Sequence, residues 1–128
     1  MTGFVLDASA VIAMLRGERG GKKVAGHIEQ GLMSTVNLAE VAGLLVRAGA
    51  TREQAEQELK GSLPRLVEAS AEHALDAAAL LPLTRHAGLS LGDRFCLALA
   101  RAERRSVLTA DRAWAGLAVE GIDVQLIR

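Results

Sequence analysis

Short apolar runs alternate along the chain with longer stretches in which apolar residues recur every three or four positions. The short runs predict five β-strands, over residues 4–6, 32–33, 65–70, 106–109 and 124–127. The periodic stretches predict α-helices over residues 10–15, 22–30, 35–49, 51–60, 71–88 and 90–104, with a short helical turn over residues 111–116. The pattern therefore predicts strands and helices in alternation from one end of the chain to the other.

Capping residues and a proline mark several of the predicted helix boundaries. The sequences TREQ at 51–54 and SLGD at 90–93 match the capping-box pattern, in which the first side chain bonds the backbone three residues later. Asp7 or Ser9 is placed to cap the first helix. Pro82 predicts a break or kink within the helix that starts near residue 71, because proline lacks the N–H that a helix interior needs.

Alternating strands and helices predict a three-layer α/β/α fold around a central, mainly parallel sheet of about five short strands. The sequence has neither an internal repeat nor a low-complexity linker, so we expect one domain over residues 1–128. In open α/β sheets, ligands bind outside the carboxyl ends of the strands. Residues that directly follow the predicted strands are therefore the first candidates for a functional site.

Composition excludes several classes of function. Fifteen basic residues balance 15 acidic ones, which excludes a generally polycationic nucleic-acid binder. The aromatic residues are only Phe4, Phe95 and Trp114, too few for a base-stacking platform. Cys96 is the single cysteine, so internal disulfides and cysteine metal clusters are impossible. The apolar runs are too short to span a bilayer, and we expect a soluble, cytoplasmic protein with no membrane partner.

Four acidic residues are predicted to reach the same edge of the sheet. Asp7 ends the first strand and Asp111 follows the fourth, while Glu40 and Asp93 lie near the starts of two helices. Each aspartate has a simpler interpretation as a helix cap. Glu40 does not, because its neighbours three and four positions away include no Lys or Arg. A carboxylate in an apolar helix is costly unless a cation arrives from elsewhere.

Oxygen ligands without cysteine or grouped histidines favour a hard cation, Mg²⁺ or Mn²⁺. Without a cation, clustered carboxylates repel one another and hold at least one proton more tightly. The three histidines are scattered along the chain rather than grouped at metal-binding spacing. The acidic residues therefore predict a magnesium or manganese site at the carboxyl edge of the sheet.

Four short motifs resemble, in order and spacing, those of the PIN domain, and most closely the VapC-type toxins of toxin–antitoxin modules. They are VLDASA at 5–10, NLAEV at 37–41, LGD at 91–93 and LTADRAW at 108–114. The resemblance implies a Rossmann-like sheet and a Mg²⁺- or Mn²⁺-dependent endoribonuclease that hydrolyses RNA to 5′-phosphate and 3′-hydroxyl products. It also implies a type II toxin that inhibits translation and growth, a homodimer, and a cognate VapB-type antitoxin whose tail occupies the active-site groove.

Carried over residue by residue, the resemblance assigns the catalytic and metal-ligating roles to the four acids Asp7, Glu40, Asp93 and Asp111. It assigns polar support of those carboxylates or of the substrate phosphate to Ser9, Asn37 and Thr109. Candidates for contacts with the RNA phosphates are Arg16, Arg85, Arg94 and Arg112. For the last two arginines, the alternative is a salt bridge that steadies the acidic cluster.

Other activities on a similar sheet fit less well. A haloacid-dehalogenase-type phosphatase needs Asp-x-Asp after the first strand, where Ser9 occupies the second position. A response-regulator receiver needs adjacent acids after that strand and a lysine near the fifth strand, and neither is present. A catalytically weak PIN-like scaffold that binds RNA or protein stays open as the alternative. The helices over residues 36–46 and 51–60 are candidate interface elements.

Overall fold

The computed structural model describes residues 3–128, in which five parallel strands form one sheet flanked by helices. The strands are β1 (Val5–Leu6), β2 (Leu32–Ser34), β3 (Arg65–Val67), β4 (Val107–Thr109) and β5 (Val124–Leu126), in the spatial order β3-β2-β1-β4-β5. The α-helices are α1 (Ala8–Leu15), α2 (Gly21–Ala25), α3 (Thr35–Arg47), α4 (Arg52–Leu59), α5 (Ala71–Ala79), α6 (Leu81–Thr84) and α7 (Leu91–Glu103). Two 3₁₀ helices span Arg85–Ala87 and Arg112–Gly116. The predicted α/β/α class with a parallel sheet is confirmed.

Helices cover both faces of the sheet. Successive strand residues point to opposite faces, so each strand contributes to two cores. Val5 belongs to the core under α5 and α7, whereas Leu6 belongs to the core under α1, α2, α3 and α4. Val107 and Leu108 divide in the same way on β4. The three interior strands β2, β1 and β4 are fully buried, and they are apolar except for the residues that end β2 and β4, Ser34 and Thr109.

Two predicted elements end earlier in the structure. Helix α2 stops at Ala25 rather than residue 30, because Gly26 follows and the chain turns, with the N–H of His27 donating to the carbonyl of Val24. Strand β3 ends at Val67 rather than residue 70. Beyond it the N–H of Ala69 donates to a side-chain hydroxyl at the start of α3, so the chain leaves the sheet there.

The other helix signals are met. Both capping boxes form, at the starts of α4 and α7. The helix predicted from residue 71 breaks into α5 and α6 next to Pro82, and Gly88 then closes the 3₁₀ turn with a φ of 68°. None of the helices in residues 3–128 is long and apolar enough to cross a membrane.

Candidate active site

Asp7 lies at the centre of the carboxyl edge, between β1 and α1. Its backbone N–H donates to the carbonyl of Leu108, which places it beside the end of β4. Its Oδ2 accepts hydrogen bonds from the hydroxyls of Ser9 at 2.6 Å and Thr109 at 2.9 Å. Asp7 occupies the N-cap position of α1, but its side chain makes no capping bond, and Ser9 lies inside the helix. The simpler interpretation of either residue as the cap of this helix is therefore wrong.

The same hydroxyls anchor the chain that follows β4. The oxygen of Ser9 accepts from the N–H of Ala110, and the oxygen of Thr109 accepts from the N–H of Asp111. Asp111 uses its own Oδ1 to accept from the N–H of Ala113 and so caps the 3₁₀ helix. Asp111 is exposed, and its capping role leaves Oδ2 without a hydrogen bond among residues 3–128.

Glu40 is held by an amide from its own helix. The Nδ2 of Asn37 donates to Glu40 Oε1 at 2.7 Å and to the carbonyl oxygen of Gly92 at 3.0 Å. Asn37 is fully buried, and its Oδ1 has no hydrogen-bond partner within residues 3–128. A single side chain on α3 therefore connects the Glu40 carboxylate to the first turn of α7.

Asp93 both closes the capping box of α7 and faces the other acids. Its Oδ2 accepts from the backbone N–H of Ser90, whose hydroxyl accepts in return from the N–H of Asp93. The prediction that Asp93 takes part in the cap of α7 is thus correct. The cap engages one carboxylate oxygen, and the other makes no hydrogen bond to the described part of the chain.

Burial and neighbouring negative charges raise the affinity of Asp7 and Glu40 for protons. Burial raises the pKa of Asp7 to about 6, against the stabilising hydroxyls of Ser9 and Thr109, and the negative charges of Asp93 and Glu40 add to the rise. Partial burial of its carboxyl group likewise raises the pKa of Glu40, partly offset by the bond from Asn37. Among residues 3–128, Lys and Arg pair only with Glu18 and Glu56, so none neutralises this cluster.

The donor chemistry fits a hard divalent cation. All four carboxylates have one oxygen tied by a hydrogen bond, and the second is free of hydrogen bonds within the described residues. Oxygen donors with uncompensated negative charge are what Mg²⁺ and Mn²⁺ require. In the described residues, however, no group of three or more His, Cys, Asp or Glu side chains is arranged to enclose an ion. The acids are neighbours without converging on one point.

The four arginines take different positions. Arg94 donates to the carbonyl of Ala77 and is half-buried between α5 and α7, and its Nε has no partner in the described chain. Arg112 donates to the carbonyl of Arg128. Neither forms a salt bridge with a carboxylate of residues 3–128. The remaining two are exposed, Arg16 at 4.0 Å from Glu18 and Arg85 in the first 3₁₀ helix.

An apolar groove of about 860 Å³ lies between α3 and α4. A stripe on α3 at helical spacing, Leu38, Ala42 and Val46, forms part of its floor, and Val46 is 50% exposed. The groove also reaches Thr35, the first residue of α3, so one end opens near the acidic edge. The sequence marked these helices as interface elements but did not indicate a groove, because the gap depends on how the helices pack.

A family model described as "PIN domain" matches residues 4–120. Solved structures resemble the chain over nearly its whole length. A toxin–antitoxin complex from Klebsiella pneumoniae gives a TM-score of 0.70 at 21% identity, covering 94% of this chain and 95% of that one. A DNA-bound VapBC from Salmonella typhimurium gives 0.74 at 13% identity, covering 100% of both chains.

VapBC-5 from Mycobacterium tuberculosis, described as a member of the VapBC family of toxin–antitoxin systems, gives a TM-score of 0.63 at 25% identity and covers 100% of this chain and 99% of that one. A comparison with curated proteins finds no match. The structural likenesses show a shared fold, and the family model adds that the sequence itself carries the pattern over nearly all of its length.

Proposed function

The chain belongs to the PIN-domain family, and from that premise we propose that it is a Mg²⁺- or Mn²⁺-dependent endoribonuclease acting as the toxin of a type II toxin–antitoxin system. It would hydrolyse RNA phosphodiester bonds and so inhibit translation and growth, until a VapB-type antitoxin neutralises it. One observation carries the catalytic part of this proposal. Burial, with a further contribution from the nearby carboxylates of Glu40 on α3 and Asp93 on α7, raises the pKa of Asp7 to about 6, and no Lys or Arg of the described chain forms a salt bridge with these acids.

Asp7, Glu40, Asp93 and Asp111 are the residues that would hold the metal. When bound, a divalent cation supplies positive charge for the reacting phosphate and lowers the pKa of water. The hydroxyls of Ser9 and Thr109 fix Oδ2 of Asp7 and leave Oδ1, which would bind the ion, free of hydrogen bonds within the described residues. Burial keeps the Asp7 charge in a region of low dielectric, where its attraction to a cation is strong.

Glu40 is suited to a proton-accepting role at the same edge. Asn37 orients its carboxylate, and the raised pKa of Glu40 makes it a better proton acceptor than an ordinary surface glutamate. Arg16, Arg85 and Arg112 are the exposed candidates for contacts with RNA phosphates, which would position the substrate without reading its sequence. Arg94 is committed to a carbonyl of α5 and would act by fixing α7.

Cleavage of total cellular RNA by the purified chain tests the catalytic proposal. We expect discrete products with 5′-phosphate ends in Mg²⁺ or Mn²⁺, none in EDTA, and none from Asp7→Asn. Asp123→Asn is the matched control, because Asp123 lies at the opposite edge of the sheet and, within residues 3–128, its side chain accepts a hydrogen bond only from the hydroxyl of Ser106. Folded protein that cuts no RNA in either metal would instead favour the scaffold function, in which the domain binds RNA or protein without turnover.

The apolar groove supports the antitoxin part of the proposal. Large apolar residues are normally covered in a soluble domain, yet Val46 and Leu66 are 50% and 40% exposed along this groove. Charged residues of α4, including the Arg52–Glu56 pair, form its rim. We take an amphipathic segment of the antitoxin as the occupant, because such a segment buries its apolar face in a groove of this kind. Where the groove ends at Thr35, the antitoxin residues that follow this segment can reach the acidic edge of the sheet.

The homodimer implied by the family resemblance stays a prediction. Light scattering on the purified chain, with and without the antitoxin, would measure it directly.

A further inference from the structure

Gly92 lies in the first turn of α7 with its backbone pressed against the Glu40 carboxyl group. A Cβ built at this position would be 2.5 Å from Glu40 Oε2, 2.7 Å from Cδ and 2.8 Å from Oε1. These separations are shorter than any ordinary carbon contact, so a side chain here requires the carboxylate to move. The contact joins two elements that each carry an acid, since Glu40 lies on α3 and Asp93 follows Gly92 on α7.

Backbone conformation does not account for this glycine. Gly92 is helical and lies outside the positive-φ region, where any residue fits. Glycine inside a helix costs roughly 1 kcal/mol relative to alanine. The remaining physical reason for a glycine is the close approach of another group to its backbone, and that group is the Glu40 carboxylate.

The carboxylate is held from a second side as well. The Nδ2 of Asn37 donates both to Glu40 Oε1 and to the carbonyl oxygen of Gly92. Asn37 and Gly92 thus hold Glu40 between an amide donor and a bare stretch of backbone. Asn37 is fully buried whereas Glu40 is exposed, so the Glu40 carboxylate is the partner that would have to move.

We propose that Gly92 is a positioning residue of the acidic site, whose missing side chain lets the Glu40 carboxylate lie against α7 beside Asp93. The role in metal binding rests on the proposed nuclease function, whereas the contact itself does not. Gly92→Ala should displace the carboxylate and break its bond to Asn37. Loss of such supporting contacts typically weakens metal binding by about 10- to 100-fold.

Metal binding by Gly92→Ala is the first test, read by titrating the purified chain with Mn²⁺ and following free Mn²⁺ by electron paramagnetic resonance. Gly43→Ala is the matched control, because it adds the same methyl group inside α3, where nothing lies within 4 Å of the new Cβ. We expect the dissociation constant to rise at least about tenfold in the Gly92 variant and to be unchanged in the control. With RNA, the loss should fall on kcat rather than KM. Equal Mn²⁺ affinities in both variants would overturn the proposal.

A stability cycle tests the contact without metal or RNA. In the native background, we expect Gly92→Ala to lower the midpoint of urea unfolding. In the Glu40→Ala background the obstructing atoms are gone, so Gly92→Ala should leave the midpoint unchanged or raise it. If Gly92→Ala does not fold alone, the double variant should. Additive effects, or a double variant that also fails to fold, would refute the contact, whatever the outcome of the nuclease assay.

Discussion

The hydroxyl of Thr109 donates to Oδ2 of Asp7 at 2.9 Å, and so joins the ends of β4 and β1 across 102 positions of sequence. Both side chains are buried. The hydroxyl of Ser9 is the second donor to the same oxygen. A buried carboxylate that is held by neutral hydroxyls keeps its charge uncompensated, in contrast to one that is paired with an arginine. Ionisation of Asp7 should therefore destabilise the folded, metal-free protein.

Asp7→Asn should stabilise the metal-free protein while it abolishes activity. Folding raises the pKa of Asp7 from 3.8 to about 6. The folded state thus binds the proton more tightly than the unfolded state, and stability falls as the pH rises from about 4 to 6. Each pKa unit is worth about 1.4 kcal/mol, so a rise of about two units predicts that the variant gains about 3 kcal/mol in unfolding free energy at pH 8, measured by urea denaturation in EDTA.

The gain should shrink by about half at pH 5, where Asp7 of the native protein is mostly protonated in the folded state. Asp123→Asn again serves as the control, since Asp123 is an acid of the opposite sheet edge. A gain that does not change with pH, or no gain at all, would show that Asp7 is not destabilised by its burial and by the neighbouring acids.

Thr109→Val should destabilise the protein by about 1–2 kcal/mol at pH 8, because it removes a hydrogen bond to a charged, buried oxygen and leaves the N–H of Asp111 without its acceptor. Thr109→Ser keeps the hydroxyl and loses only a methyl group. We expect RNA cleavage to survive in the serine variant and to fall in the valine variant. Equal activities would indicate that the packing of this side chain, rather than its hydroxyl, supports the site.

The sequence was sufficient to predict the sheet and the edge at which the acids meet. Strands that are buried on both faces are mostly apolar, so the runs at 5–6 and 107–108 could be recognised without a structure. Parallel strands end at one edge, which places Asp7 and Asp111 at the same edge of the sheet although about a hundred residues separate them. Each capping box depends only on residues three positions apart in sequence, so both could also be predicted without a structure.

Contacts that depend on the packing of whole helices could not be predicted. Gly92 has a sequence signal, a glycine inside a helix just before Asp93, but its partner Glu40 is identified only by the distance between α3 and α7. The groove beside Val46 likewise depends on how far α4 stands from α3. The early end of α2 reflects a turn at Gly26 that the apolar periodicity of the following residues obscured.

Metal affinity should depend on pH through Asp7. A carboxylate must lose its proton to bind a cation, and burial with neighbouring negative charges raises the pKa of Asp7 to about 6. We therefore expect Mn²⁺ affinity to be constant above about pH 7 and to fall up to about tenfold per pH unit below 6. Isothermal titration calorimetry across this range measures it. Thr109→Val removes a hydrogen-bond donor that stabilises the charged form of Asp7, so it should shift the loss of Mn²⁺ affinity to higher pH. An unchanged pH dependence in this variant would show that the loss does not arise from Asp7.

Val46→Glu should prevent neutralisation by the antitoxin and leave RNA cleavage intact. Val46 is half exposed on the floor of the groove and is not one of the residues proposed to hold the metal or support its ligands. A charge at this position should therefore weaken the binding of an apolar partner without changing the acidic site. The measurement is RNA cleavage in the presence of increasing co-purified antitoxin, with the dissociation constant of the pair expected to rise at least about a hundredfold. Leu75→Glu is the control, since Leu75 is an exposed apolar residue of α5 outside the groove. If Leu75→Glu weakens the pair and Val46→Glu does not, the antitoxin binds the α5 face and the groove has another occupant.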